Sequence, residues 1–280
     1  MSYFIEMLGM PFLACVLMTF ILGYIGIHVL KREIIFIDIT LAQVAALGAI
    51  TAHIFFHVHG DSILSYLFSI SFTLTVAFFF ALVRKKIIQI PLEAVIGIFY
   101  ALAAAAALFL IGVTTGAHSH VTEMLSGSIL WVGKKDILWC LMIFSTVGFF
   151  FYLFRKSFDK ISENYEHLQE LGINVVMWDF IFYTLVGIVI TQSVKIGGVV
   201  LVFGFLIIPA ALSALYSKNQ FYRLLITWIT GIFSSFLGLL FAERLDFSVG
   251  PSVCLLLGIV LIIGSILYKI FLNKSEYKMS

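Results

Sequence analysis

"NVVMWDFIFYTLVGIVITQSVKIGGVVLVFGFLIIPAALSALYS", residues 174–217, is an apolar run too long for one helix across a bilayer. A crossing needs about 20 apolar residues. The run therefore reads as two crossings, 174–194 and 196–217, separated only by a tight turn at Lys195–Gly198. Outward from it, runs of the same length recur at 10–30, 34–56, 62–83, 91–113, 136–154, 221–242 and 249–272. They are long and continuous, where a membrane β-barrel would show short alternating segments. The expected fold is all-α: a polytopic integral membrane protein of about 8–9 transmembrane helices, a single domain over 1–280. Composition agrees. Of the residues, 62% are hydrophobic and 11% charged, against roughly half and a quarter in a soluble domain.

The basic residues give an orientation. Lys31-Arg32, Arg84-Lys85-Lys86, Arg155-Lys156-Lys160, Lys218 with Arg223, and Lys274 with Lys278 all fall on one side of this topology. That side is expected to be cytoplasmic, with the N-terminus outside and the C-terminus inside the cell membrane. Lys134-Lys135 falls on the other side, against the trend. A net charge of +2 gives no reason to expect nucleic acid. Cys15, Cys140 and Cys254 lie in apolar runs, with no disulfide or zinc-knuckle spacing. Glu6 precedes the first apolar run and no Lys or Arg does, so no cleaved signal peptide is expected.

Polar residues inside membrane helices usually face a bundle interior or an aqueous path. Asp38 sits about one turn into its helix. It reads as a pathway ligand, as a helix-start charge favoured by the dipole, or as a partner for Arg32. Gln43 lies five residues on, off the Asp38 stripe, and reads as a pathway residue or as an interhelical hydrogen-bond partner. Glu93 after Pro91 reads as a helix start. Pro209 removes a backbone hydrogen bond inside an apolar span, giving a hinge, a pathway lining or a packing kink. Five histidines, His53, His57, His59, His118 and His120, lie on or near the outer side, with Asp61 and Glu123 close by in sequence. Imidazole with carboxylate suits zinc and related metals, so each histidine taken singly reads as an exposed loop residue, while His118, His120 and Glu123 taken as a group are candidate metal-collecting residues. The longest polar segment, 155–174, holds good helix formers over 159–171 and then Gly172, a candidate C-cap. No phosphate-binding loop of the G-x-x-x-x-G-K-[ST] type is present, so any ATP hydrolysis is expected in a partner.

Five stretches in order resemble one family, the membrane permease subunits of ABC importers for zinc, manganese and iron(II). They are "FIDITLAQVAALGA" (36–49), "EAVIGIFYALAAAAAL" (93–108), "LSGSILWV" (125–132), "GGVVLVFGFLIIPAALSAL" (197–215) and "GPSVCLLLG" (250–258). The resemblance covers roughly 10–270. It implies a permease, usually dimeric, that forms the translocation path without enzymatic activity or a stably bound cofactor. Two cytoplasmic ATPase subunits and an extracytoplasmic metal-binding protein would complete it. It further implies that 158–172 is a helix coupling the permease to the ATPase, through Phe158, Asp159, Glu166, Leu168, Leu171 and Gly172. Gly198 and Pro209 would mark a gating or pathway helix. Much of the family carries a histidine a few positions after the early acidic residue. Gln43 stands there in this chain, and glutamine is a poor zinc ligand, which leaves Asp38 as the better metal candidate in that helix.

Two other classes compete. A secondary transporter driven by an ion gradient would usually show midplane charges and two similar halves, and neither stands out here. An intramembrane enzyme would need a nucleophile–base pair or a HExxH-type motif, and none is present.

Overall fold

The computed structural model describes residues 2–58, 62–86, 90–113, 129–163 and 174–276. Nine α-helices occur among them: α1 Ser2–Lys31, α2 Ile37–Phe56, α3 Ile63–Lys86, α4 Leu92–Val113, α5 Lys134–Leu153, α6 Arg155–Glu163, α7 Val175–Tyr216, α8 Gln220–Leu245 and α9 Val249–Glu276. A short 3-10 turn, Ile129–Trp131, precedes α5. No strand occurs among the described residues. Eight of the helices are long and apolar enough to cross a membrane, all but the nine-residue α6. This is a multi-pass membrane protein.

The longest helix, α7, is two arms. Gly198 has φ 76° and ψ 163°, a region that essentially only glycine occupies, and a helical bond ladder cannot run across it. The contacts with α1 show the reversal. In the first arm Asp179 meets Arg32, Phe182 meets His28, and Gly197 lies against Met18. In the second arm Leu206 and Ala210 lie against Gly26. The chain thus runs down α1 and then back up it. Each arm has about 20 residues, roughly 30 Å of helix, and suffices for a crossing. The turn expected at Lys195–Gly198 is in place.

Successive helices alternate in direction. One end of the bundle, here the basic end, gathers residues 31–36, Arg84, α6 and the 217–219 turn. The other holds the start of α5 and the α8–α9 turn at 246–248. Helices with so little polar surface associate by close packing of small residues. Gly48 sits on the backbone of Phe68 and Ser69, Gly187 on Thr73, and Gly238 on Val253. Gly26 meets the Leu206 carbonyl oxygen itself, so the two backbones touch where α1 crosses the second arm.

Candidate permeation and coupling site

The start of α2 is fixed by a neighbour. Glu93 on α4 accepts hydrogen bonds from the backbone N–H groups of Ile35 (2.9 Å) and Phe36 (3.2 Å), two donors that no helical carbonyl could satisfy. Glu93 thus stands in the first turn of its own helix, as expected, and also serves the start of α2. The Thr40 hydroxyl lies 3.2 Å from the Ile96 carbonyl and adds a second tie between α2 and α4. Asp38 is thereby held inside the bundle at 1% exposure. Its Oδ1 has no hydrogen-bond partner among the described residues. The pairing with Arg32 offered by the sequence does not form, since that guanidinium goes to Asp179. Gln43 is half-buried one and a half turns further on. A buried carboxylate oxygen without a donor is costly in an apolar surround, and a cation or a proton would relieve it.

At the far end of α2, His53 Nδ1 lies 2.7 Å from the Val58 carbonyl, and His57 caps the helix in the left-handed conformation, φ 51°. Both serve the helix end. His118, His120 and Glu123 lie outside the described residues, as do His59 and Asp61. Among the described residues no group of three or more His, Cys, Asp or Glu could hold a metal ion.

The basic end carries a second polar site that the sequence did not disclose. Asp179 is fully buried, and its Oδ1 accepts from Arg32 Nη1 at 2.7 Å and from Arg84 Nη1 at 3.0 Å. Burial pushes the Arg32 guanidinium below its ordinary value, and the adjacent Asp179 carboxylate pushes it back up. The Arg32 guanidinium carbon also lies 3.8 Å from the centre of the Phe182 ring, a cation–π contact. The available signal was a lone acidic residue in an apolar run, since such residues are usually paired inside a bundle.

Helix α6 rests on this site. Phe158 is fully buried among Phe151, Trp178 and Phe182, with ring centroids 5.3, 5.9 and 5.7 Å away. Ser162 Oγ accepts from Arg32 Nε at 2.9 Å and lies 3.2 Å from His28 Nδ1. Asp159 accepts from Gln220 Nε2 at 2.8 Å. Arg155, Lys156 and Lys160 point outward. So Phe158 and Asp159 face the bundle, and the exposed face of α6 is basic. The helix begins at Arg155, a turn before the stretch of helix formers, because Phe158 and Ile161 have an apolar seat to fill. Glu166, Leu168, Leu171 and Gly172 lie outside the described residues.

The third expected locus is the second arm of α7. Gly198 makes the reversal. Pro209 is buried within the arm, and its carbonyl lies 3.4 Å from the Thr227 hydroxyl of α8.

A helical bundle with a folded-back α7, a buried carboxylate near one helix start and a small helix seated on the basic end defines a polytopic α-helical membrane protein. The sequence profile of the ABC 3 transport family matches residues 4–268. The chain belongs to that family. It is 23% identical to the high-affinity zinc uptake system membrane protein of Haemophilus influenzae, over 89% of this chain and 92% of that one. It is 27% identical to the manganese import system permease protein of Streptococcus parasanguinis, over 58% of each chain. Against several other curated relatives the match spans only about half of the relative's length, 48% to 57%. Among solved structures, PsaBC from Streptococcus pneumoniae in complex with Fab contains a chain of the same fold, with a TM-score of 0.76, 19% identity and 94% of each chain covered.

Proposed function

We propose that this chain is the membrane permease subunit of an ATP-driven importer of divalent transition metal ions, with zinc first and manganese or iron(II) next. The observation that carries the reading is the family match over nearly the whole chain. In this reading the helices form the translocation path, and separate cytoplasmic ATPase subunits hydrolyse ATP. An extracytoplasmic metal-binding protein delivers the ion, and a second permease copy completes the path. The protein sits in the cell membrane with its basic end in the cytoplasm and its N-terminus outside. Asp38 is the pathway ligand of α2. Its unpaired buried oxygen supports that role, and a weak, partial ligand set suits an ion that must leave as readily as it enters. Gln43, His118, His120 and Glu123 extend the path. Segment 158–172 is the coupling element, seated through Phe158 and Asp159 and meeting the ATPase with its outer face. Gly198 and Pro209 mark the gating helix.

The test is uptake into proteoliposomes holding this chain with its ATPase and binding protein, with zinc, manganese and iron(II) in competition. ATP-dependent accumulation of one ion is expected. Uptake that ignores ATP and follows an imposed ion gradient would overturn the reading in favour of a secondary transporter.

A further inference from the structure

Helix α6 has nine residues and cannot hold a place by its own backbone bonds, because isolated helices this short are marginal. Its position is set by its seat. Beneath the aromatic contact of Phe158, the seat is polar and shared. One guanidinium, that of Arg32, donates Nε to Ser162 of α6 and Nη1 to Asp179 of α7. Asp179 Oδ1 is at the same time held by Arg84 of α3. The Phe182 ring touches both Phe158 and Arg32. A movement of α6 that keeps the Arg32–Ser162 bond therefore acts on α1, α3 and the first arm of α7 together.

The network is also incompletely satisfied. Arg32 Nη2, Asp179 Oδ2 and His28 Nε2 are buried without a hydrogen-bond partner among the described residues. Ser162 Oγ accepts from Arg32, and its own proton is free to go to His28 Nδ1; with that proton donated, the ring proton sits on Nε2. That nitrogen faces Asp159 Oδ1 at 3.7 Å, too far for a hydrogen bond and about 1 Å from one. Buried polar groups left unpaired are costly, and a small shift of α6 towards α1 would make the missing bond. A network with two nearby arrangements is what a switching element requires.

We propose that Arg32, bonded to the Ser162 hydroxyl, is the positioning residue that delivers a displacement of α6 to α1, α3 and α7 in one step, and so ties ATP hydrolysis to opening of the path. This rests on the permease reading above and names the internal connection it needs.

The experiment measures metal ions accumulated per ATP hydrolysed by the complete complex in proteoliposomes. The probe is whichever of zinc, manganese and iron(II) the unaltered complex accumulates. Ser162→Ala removes only the hydroxyl. The ratio is expected to fall about threefold or more, with the melting midpoint within about 2 °C of the parent. Ser162→Thr is expected to restore it. Should Ser162→Ala fail to assemble, Ser162→Thr against Ser162→Val, near-identical in shape, decides the same point. An unchanged ratio in Ser162→Ala, or equal ratios in the Thr and Val variants, would overturn the inference and leave the permease reading intact. Absence of ATP-dependent uptake by the unaltered complex would overturn both.

Discussion

Replacing Asp179 with Asn tests the buried charge site directly. The Arg32 and Arg84 nitrogens that share Asp179 Oδ1 lie 2.7 and 3.0 Å from it, so they are less than about 6 Å from each other. Asparagine keeps an acceptor oxygen of the same shape and removes the negative charge. Two guanidinium groups then face each other with no negative charge between them. Their mutual repulsion, about 3 kcal/mol at that distance and an effective dielectric of about 20, is no longer offset by the carboxylate. The charge-assisted part of both hydrogen bonds is lost as well. Breaking a buried ion pair by removing one partner costs about 3–5 kcal/mol. At about 2–3 °C per kcal/mol for a chain of this size, the melting midpoint should drop by roughly 6–15 °C. The assay is thermal unfolding of purified protein in detergent, followed by size exclusion. Adding Arg84→Gln to Asp179→Asn removes the repulsion, so the double variant should lose less than the sum of the two single losses. A midpoint within about 2 °C for Asp179→Asn, or additive losses in the double variant, would refute the reasoning.

Three further outcomes are expected. Gly26→Ala should sharply reduce the yield of folded protein, because its methyl would fall on the Leu206 carbonyl. Gly258→Ala, with nothing within 4 Å of the added atom, should leave the yield unchanged; quantitative membrane blots compare them. Gly198→Ala forces a side chain into a glycine-only conformation and should cost about 1–3 kcal/mol, read as a lower melting midpoint than that of Gly97→Ala, which has open space around it. Asp38→Asn should lower metal uptake about tenfold, in keeping with the loss of a ligand-shell carboxylate, with the complex still assembled by size exclusion; uptake equal to the parent would remove Asp38 from the path.

Crossings were legible in the sequence because the bilayer sets their length, and each apolar run became a helix to within about four residues, except that α1 begins at Ser2, well before residue 10. The doubling of α7 was legible too, since no single crossing needs 42 residues and Gly198 stood where a turn was required. What escaped reading was partnership at long range. Arg32 and Asp179 are 147 residues apart, and Arg84 and Asp179 are 95 apart. Nothing local distinguishes Arg32, buried at 5% exposure, from the other basic residues at the helix ends. Glu93 was read correctly as part of the start of α4, but its bonds to the start of α2 are 57 and 58 residues away and had no local sign. Phe158 and Asp159 stood out in the polar segment, but which face of α6 meets the bundle depends on the aromatic seat, assembled from α5 and α7.

The reversal at Gly198 divides more than one helix. The first arm packs on α2 and α3 through Leu41 and Thr73 against Gly187, and on α5 through Gln192 and Cys140. The second arm packs on α8 through Pro209 and Thr227, and on α9 through Gly204 with Cys254 and Gly264 with Leu212. The bundle therefore has two lobes, creased at one residue, with α1 lying against both. Because the helical ladder is already interrupted at the crease, tilting one lobe against the other breaks no backbone bond there. Resistance to such tilting would come from side chains sliding along α1, above all where Gly26 lets two backbones touch.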